Sequence, residues 1–381
     1  MSIPATPEAR NDAGAQRERF YRPELDCLRF FAFFAVFVFH TMGGGDAAYF
    51  AARGVPFASL IASAASAGRF GVDLFFLLSA YLITELLLRE QEQCGKLDLR
   101  FFYLRRILRI WPLYFLGLLI AVLLPLVDSS QYFPPKYALA FVFMLGNWLP
   151  LHFQVISLMW PLWSVSLEEQ FYLLWPAFLS KGGQRKRLLY AVAALLTIAT
   201  LARQLLFGFA RGQHSEVFIT SCTLTRLDPL ALGIATAVLL WKKPITLRWS
   251  SRLILLLAGC GFWLAAGHLY GLTRSFMLFG FPAVALGAGL MFLSALGSPF
   301  APRWLRYLGK ISYGLYVFHM LAIHLSVKLW GGFVHNLHDF LGYWCLSLLV
   351  TITMAAFSYR YFESPFLRLK KRFTRVESRP V

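Results

Sequence analysis

The chain has 381 residues, of which 58% are hydrophobic and only 15% are charged. A soluble protein of this size needs more charge to cover its surface, so the composition excludes an ordinary soluble domain and indicates a polytopic membrane protein. The formal net charge is +18, from 37 Lys and Arg against 19 Asp and Glu. Because no RNA- or DNA-reading motif accompanies this charge, we assign it to loops on one side of a membrane and expect no nucleic-acid partner.

Apolar runs divide the chain into two tails and one membrane domain. Residues 1–23 are polar and lack an apolar core, so they predict a disordered cytoplasmic tail and no secretory signal. Residues 24–366 form the predicted transmembrane domain, and residues 367–381 form a basic cytoplasmic tail. The expected fold is all-α with about ten transmembrane helices, at 25–42, 69–89, 107–127, 160–180, 188–207, 224–241, 253–271, 275–296, 310–330 and 340–361.

The segment 137–150 is apolar but too short to cross a bilayer. It is bracketed by prolines, so we predict a re-entrant or interfacial segment. If it does not cross, most of the 37 Lys and Arg lie on the side of the two termini. The positive-inside rule then places both termini in the cytoplasm and the protein in the inner membrane. A full crossing would reverse the side of every later loop.

The first two helices carry ionisable residues in apolar surroundings. Arg29 and His40 lie on nearly one face of the first helix, separated by roughly 16 Å along its axis. A histidine inside a span is a functional candidate by default, although one near the outer end could also pack against lipid headgroups. Asp26, at i−3 from Arg29, forms either a helix-foot salt bridge or a substrate contact. In the second helix the carboxylate of Asp73 needs a partner, and Arg69 at i−4 is the local candidate.

A basic stripe opens the third helix at the predicted cytoplasmic face. Arg106 and Arg109 are i,i+3 neighbours, and two guanidinium forks side by side are well suited to binding phosphates. The alternative is an ordinary positive-inside cluster that meets anionic lipid. The sequence leaves both possibilities open.

Two adjacent glutamates in the fourth helix are hard to explain as packing. Ser164, Glu168 and Tyr172 share one helical face. Rise per residue places Glu168 near the depth of His40. We therefore predict one site in the outer half of the membrane that contains His40, Asp73 and Glu168.

The later helices add polar residues of less certain role. Arg226 and Asp228 lie at the start of the sixth span, and Ser312 and Tyr313 open the ninth. His319 falls near mid-membrane, where a lone histidine often forms a hydrogen bond between helices, so we do not assign it a catalytic role. No HExxH, GxSxG or Walker motif occurs, and the spacing of His and Glu predicts no metal site.

Seven motifs occur in a specific order after residue 22: PELDCLR with an Arg-x10-His spacing, GVDLFFLLSAYLI, an Arg-x-x-Arg at 106–109, WSVSLEEQFYLLWP, RLDPLALG, LGKISYGLYVFH and YFESP. On these motifs the chain resembles the membrane-bound acyltransferase 3 family, bacterial acyl-CoA-dependent O-acyltransferases of surface glycans, lipids and antibiotics. The resemblance implies a catalytic role for His40 and acyl-CoA handling by Arg29, Arg106 and Arg109. The signature positions, for substrate or structure, are Asp26, Arg69, Asp73, Ser79, Trp163, Ser164, Glu168, Tyr172, Arg226, Asp228, Ser312, Tyr313 and His319.

Two departures from the family pattern are conservative, because Cys27 and Ala80 replace glycines with other small residues. The chain runs from Pro365 into a basic tail, so we expect no fused SGNH-type extracytoplasmic domain.

The leading hypothesis is an integral-membrane O-acyltransferase that moves an acyl group, expected to be acetyl, from cytoplasmic acyl-CoA to a hydroxyl. The acceptor would be a cell-surface polysaccharide, a lipid-linked glycan or a related molecule. Acyl-CoA is a co-substrate, no cofactor is expected to be permanently bound, and the expected partners are membrane lipid and the acceptor; the oligomeric state is left open.

Two mechanisms and two other functions stay open at this point. We favour His40 as a general base, with Glu168 or Asp73 orienting its ring, over an acyl-histidine intermediate. The rival functions are a transporter or flippase of a glycan or lipid precursor, and a non-catalytic scaffold for a lipid-linked glycan. A transporter predicts broken helices in matched halves of the chain, and the sequence shows none.

Overall fold

A computed structural model describes residues 20–42, 51–52, 57–131, 133–151, 158–209, 215–243, 245–271, 273–330 and 337–374. Every regular element in these ranges is helical, which confirms the all-α class. The α-helices are α1 (Pro23–Thr41), α2 (Ala58–Ala67), α3 (Gly71–Cys94), α4 (Leu99–Leu123), α5 (Pro135–Val142), α6 (Leu162–Ser180), α7 (Arg185–Phe209), α8 (Ser215–Ser221), α9 (Leu227–Leu239), α10 (Trp249–His268), α11 (Phe281–Ala295), α12 (Arg303–Lys310), α13 (Ser312–Leu329), α14 (Leu337–Ser358) and α15 (Ser364–Lys370). Short 3-10 segments lie at Gly68–Phe70, Leu124–Leu126, Gly146–Leu151, Thr223–Arg226 and Lys371–Phe373, and π-helical turns lie at Phe276–Gly280 and Tyr359–Glu363.

Six helical segments in the described ranges are long and apolar enough to cross a membrane: Ala58–Cys94, Leu99–Leu126, Arg185–Phe209, Trp249–His268, Phe276–Ala295 and His338–Phe373. The remaining four predicted spans are helical but do not stand out as spans on length and composition. Helices α1, α6 and α13 carry the charged and polar side chains of the candidate site, and α9 has only 13 residues, about 20 Å of helix. Helix length and composition therefore do not test the predicted number of about ten crossings.

The apolar segment 137–150 is not one helix. It is divided between α5, which has eight residues, and the 3-10 segment Gly146–Leu151. Met144 lies between them with a positive φ of 56°, which breaks the helical path. Eight residues of helix span only about 12 Å, less than the hydrocarbon core of a bilayer.

Close contacts of α3 with α1 and α9 fix the centre of the bundle. A Cβ atom at Gly71 would lie 2.3 Å from the carbonyl oxygen of Ala32 on α1. At Gly233 of α9 it would lie 2.4 Å from the carbonyl oxygen of Leu77 and 2.9 Å from Cβ of Ala80. Helices in lipid associate through such small residues because their backbones can then approach closely. The two contacts hold α3 between the helix that carries His40 and the helix that follows Arg226.

The C-terminal helix continues past residue 366, the predicted end of the membrane domain. The helical turns run on through Phe373 and pack against α4. Arg105 Nη1 donates to the carbonyl oxygen of Phe373 at 2.8 Å, and the rings of Phe101 and Phe373 lie 5.7 Å apart. Residues 1–19 and 375–381, the greater part of the two predicted tails, lie outside the described residues.

An ion cluster joins the end of the α4 segment to α13, on the side of the bundle where His40 lies. Asp128 accepts hydrogen bonds from Lys328, Ser130 and His324, the last at 2.7 Å from Nε2. These donors hold the pKa of the Asp128 carboxyl well below its usual range.

Candidate active site

Two histidines from distant parts of the chain meet inside the bundle. His40, in the last turn of α1, places Nδ1 3.0 Å from the carbonyl oxygen of Val36 and 3.2 Å from Nε2 of His319 on α13. His319 is fully buried, and its Nδ1 lies 2.6 Å from the carbonyl oxygen of Tyr316. Phe33 packs edge-on against the His319 ring at 6.1 Å.

The hydrogen-bond pattern assigns a tautomer to each ring. A nitrogen that faces a carbonyl oxygen must carry the hydrogen, so both Nδ1 atoms are donors. Nε2 of His319 therefore keeps its lone pair and accepts from Nδ1 of His40. The consequence is that Nε2 of His40 also keeps a lone pair, and none of its hydrogen bonds in the described ranges uses that atom.

His40 lines a cavity of about 250 Å³, which we call the histidine cavity. It lies at the end of the bundle formed by the C-terminus of α1 and the N-terminal turns of α3 and α6. Charged residues in its wall are Arg69, Glu216 and Arg226. Trp160 and Trp163 also line it, with near-parallel rings 6.3 Å apart. A base, cations and flat aromatic faces are thus collected in one pocket.

The expected pairing of Arg69 with Asp73 is wrong. Asp73 pairs with Arg226, whose Nη2 lies 2.8 Å from Oδ2. The Arg69 guanidinium lies over the ring of Tyr270 at 3.7 Å and over Phe39 at 4.6 Å, and its Nε donates to the carbonyl oxygen of Ser66. The i,i+4 rule considers only neighbours on one helix, whereas the partner of Asp73 comes from the 3-10 turn before α9.

Asp228, two residues after Arg226, belongs to a separate buried pair with Arg203 of α7. Arg203 is fully buried and donates to both oxygens of Asp228. This pair ties α7 to α9, and neither residue lines the histidine cavity. We therefore assign Asp228 a structural role beside the site.

Glu168 lies in a second cavity, of about 110 Å³, which we call the arginine cavity. Its Oε1 accepts from the Ser79 hydroxyl at 2.9 Å and its Oε2 from the Tyr172 hydroxyl at 2.8 Å. The Arg106 guanidinium lies over the Tyr172 ring at 5.2 Å. The other signature residues that line the cavity are Arg29, Arg109, Ser164, Ser312 and Tyr313.

The arginine cavity continues into an entrance cavity of about 150 Å³, at the end of the bundle opposite His40. The two share Arg29, Ser79, Arg106 and Arg109. Arg29 also pairs with Asp26 at 3.0 Å, as the i,i+3 spacing predicts. The guanidinium groups expected to bind a phosphorylated ligand are therefore collected around one continuous opening.

The prediction that His40, Asp73 and Glu168 form one site needs correction. Glu168 shares its cavity with the arginines, and its hydrogen bonds go to Ser79 and Tyr172. The neighbour that fixes the His40 ring within the described residues is His319, so neither carboxylate serves as its orienting partner. Rise per residue predicts how deep a residue lies along its helix. It does not predict which of two cavities at similar depth the side chain will face.

Tyr316 lies between the two cavities and lines both. Its hydroxyl shares a hydrogen bond with Ser164 at 2.8 Å and donates to the carbonyl oxygen of Pro161 at 3.1 Å. Its ring lies 5.5 Å from that of His319 and 5.7 Å from that of Phe75. Sequence reasoning did not single out Tyr316, although its place at i−3 from His319 in the motif LGKISYGLYVFH was an available signal.

Comparison with known proteins supports a family assignment. The putative peptidoglycan O-acetyltransferase YrhL of Bacillus subtilis is 30% identical over 378 residues, covering 91% of this chain and 55% of that protein. The peptidoglycan O-acetyltransferase OatA of Listeria monocytogenes is 28% identical over 380 residues, covering 91% of this chain and 56% of that protein. The O-acetyltransferase OatA of Staphylococcus aureus is 28% identical over 369 residues, covering 91% of this chain and 57% of that protein.

The chain spans about half the length of the curated relatives it matches. No solved structure matches it. The family model described as an acyltransferase domain matches residues 22–360. This range includes every helix that lines the histidine and arginine cavities, and all of the entrance wall except Phe20, Tyr21, Lys370 and Thr374. On this match the chain belongs to that acyltransferase family.

Proposed function

We propose that the protein is an integral-membrane O-acyltransferase that moves an acyl group, in the simplest case acetyl, from acyl-CoA to a hydroxyl of a cell-envelope glycan. The observation that carries the proposal is the pair of cavities that meet at Tyr316, one lined by guanidinium groups and the other by an imidazole with a free lone pair. The names of the relatives, peptidoglycan O-acetyltransferases among them, support a glycan acceptor and an acetyl group.

The arginine and entrance cavities are the proposed site of the donor. Coenzyme A carries several phosphate charges, and guanidinium forks bind phosphate oxygens with charge-assisted hydrogen bonds. Arg29, Arg106 and Arg109 would supply these contacts. Glu168 holds the hydroxyls of Ser79 and Tyr172 and so orders the wall along which the pantetheine arm would extend towards Tyr316.

His40 is the proposed general base. Nε2 takes the proton of the acceptor hydroxyl while that oxygen attacks the thioester carbonyl carbon. The carbon–sulfur bond then breaks, and the thiolate of coenzyme A takes the proton back from the imidazolium. The Val36 carbonyl oxygen and His319 Nε2 accept from Nδ1 of His40, which fixes the tautomer and stabilises the transient imidazolium as an orienting carboxylate does in a catalytic triad.

The proposed topology places ten crossings in the inner membrane with both termini in the cytoplasm. The arginine cavity then opens towards the cytoplasm, where acyl-CoA is available, and the histidine cavity opens towards the envelope. The charge distribution supports this orientation. More Lys and Arg line the entrance cavity than the histidine cavity, and the positive-inside rule places the more basic end of the bundle in the cytoplasm.

Acyl transfer by the purified protein tests the proposal. With labelled acetyl-CoA and a peptidoglycan fragment as acceptor, we expect wild-type protein to form a labelled ester. His40→Ala should lower the rate by roughly 10²–10⁴-fold, since general-base help is worth that much. His338→Ala, which removes an exposed histidine of α14, is the matched control and should be unaffected.

Three results would contradict the proposal. Near-wild-type turnover by His40→Ala would reject His40 as the base. In a rapid-quench experiment without acceptor, a burst of free coenzyme A with label retained on wild-type protein, and absent from His40→Ala, would replace the general base with an acyl-histidine. Absence of any ester from wild-type protein would reject acyl transfer itself and favour a transport function.

A further inference from the structure

The two buried arginines beside the histidine cavity differ in how many of their N–H groups are used. Arg203 forms five hydrogen bonds, as many as it has N–H groups: to the carbonyl oxygens of Met277 and Thr225, to the Thr200 hydroxyl, and to both oxygens of Asp228. Its hydrogen-bonding capacity is fully used within the fold. Arg203 is therefore a structural residue.

Arg226 is only 5% exposed, yet it donates a single hydrogen bond in the part of the chain that the structure describes. That bond joins Nη2 to Oδ2 of Asp73 at 2.8 Å. The Nε–H is buried and has no partner among the described residues. Because leaving a buried donor unused is costly, an arginine in this state is expected to have an acceptor supplied from outside the fold.

The unused donors of Arg226 belong to a side chain in the wall of the histidine cavity, the same pocket that His40 lines. Asp73 holds the guanidinium from one edge, and the ring of Phe281 packs against it at 5.2 Å. Glu216 lines the cavity too, but it makes no ion pair with Arg226 within the described residues. The guanidinium is thus held in place at the cavity wall, with N–H groups that no acceptor among the described residues uses.

We propose that Arg226 is a second catalytic residue, which binds the carbonyl oxygen of the thioester and stabilises the negative charge that develops there. This inference rests on the acyl-transfer function proposed above. As the acceptor oxygen bonds to the carbonyl carbon, the π-bond electrons move to the carbonyl oxygen, and His40 holds the hydroxyl proton. The C=O bond reforms when the carbon–sulfur bond breaks, and coenzyme A leaves as the thiol. Charged N–H donors held at the site of a developing oxyanion lower the barrier without lowering the energy of the bound substrates equally.

Steady-state kinetics of Arg226→Gln and Arg226→Lys test this role. Removal of one oxyanion donor typically costs about 10²–10³-fold in kcat, so we expect a loss of that size in Arg226→Gln with little change in KM for either substrate. Arg226→Lys keeps the positive charge but loses the planar set of N–H donors of a guanidinium. Its kcat should lie between those of wild-type protein and Arg226→Gln. Arg252→Gln is the control. Arg252 is also 5% exposed, but it donates only to backbone carbonyls and lies away from the cavities. This variant should therefore lower Tm and leave kcat of the folded protein unchanged.

A double variant separates catalysis from folding. Arg226→Gln alone leaves Asp73 buried without its partner, whereas Asp73→Asn with Arg226→Gln removes both charges together. We expect the double variant to recover Tm but not kcat. Recovery of kcat in the double variant, an unchanged kcat in Arg226→Gln, or a loss confined to KM for the acceptor would each overturn the inference. Failure of wild-type protein to transfer acyl groups would instead overturn the proposed function.

Discussion

Arg106 lies where the entrance cavity and the arginine cavity overlap, with its guanidinium over the Tyr172 ring. Contact with phosphate oxygens at this position would contribute about 1.5–3 kcal/mol. We therefore expect Arg106→Gln to raise KM for acyl-CoA by roughly ten- to a hundred-fold and to leave KM for the acceptor unchanged. The measurement is initial rates with each substrate varied in turn.

Arg248 provides the comparison for Arg106, since it is an exposed arginine that lines none of the three cavities. Arg248→Gln should leave both KM values at their wild-type level. Equal increases in the two variants would mean that general surface charge, and not a defined phosphate site, attracts acyl-CoA.

The residue pairings show where reasoning from sequence ends. Asp26 and Arg29 pair as their i,i+3 spacing predicts, because both partners are on one helix. Asp73 pairs with Arg226, which is 153 positions later in the chain, and His40 meets His319 at a separation of 279. Such contacts depend on how whole helices pack, and one sequence without tertiary information does not specify that packing.

At the scale of the elements, the contact of α3 with α1 allows a test of close packing. A Cβ atom at Gly71 would lie 2.3 Å from a backbone oxygen of α1, so Gly71→Ala forces the helices apart. We expect a destabilisation of about 1–3 kcal/mol, the usual cost of overpacking, and a lower Tm in detergent.

Gly261→Ala is the control for this substitution. Gly261 also lies within a helix, α10, but a Cβ atom there has no neighbour within 4 Å. Because alanine favours helix over glycine by roughly 0.5–1 kcal/mol, this variant should have an equal or higher Tm. A similar loss of stability in both variants would show that helix propensity, and not the α1–α3 contact, determines the result.

The helices themselves were largely predictable, because an apolar run bounded by polar or proline residues is a local signal. Each of the ten predicted spans contains a helix in the structure, and most ends are shifted by a few residues; the largest shift is at α4, which begins at Leu99, eight residues before the predicted start at 107. The exceptions lie where tertiary contacts extend or interrupt a run: α3 continues to Cys94, and the run at 137–150 breaks at Met144. The candidate site was less predictable, since Tyr316 divides it through contacts that involve three helices.

At the scale of the whole molecule, the proposed topology predicts the sides of two exposed lysines. Lys136 at the start of α5 and Lys181 after α6 are separated by the segment 137–150 and one full helix. If the segment does not cross, cysteines placed at 136 and 181 in a cysteine-free protein will react with an impermeant thiol reagent from opposite sides of the membrane. Labelling of both from the envelope side would show that the segment crosses and would reverse the topology of every later helix.

The position of Tyr316 between two cavities that open at opposite ends of the bundle bears on how the proposed reaction would respond to membrane voltage. If water fills both cavities from the opposite ends of the bundle, most of the potential difference would fall across the side chains near Tyr316 that separate them. Moving one elementary charge through this layer of side chains is worth about 2.3 kcal/mol per 100 mV. In the proposed reaction the charges are transient: the imidazolium of His40 is positive and the thioester carries developing negative charge until His40 returns the proton and coenzyme A leaves as the neutral thiol. If acyl transfer proceeds as proposed, the membrane potential would enter the activation free energy of this charged transition state, and the acylation rate would depend on it.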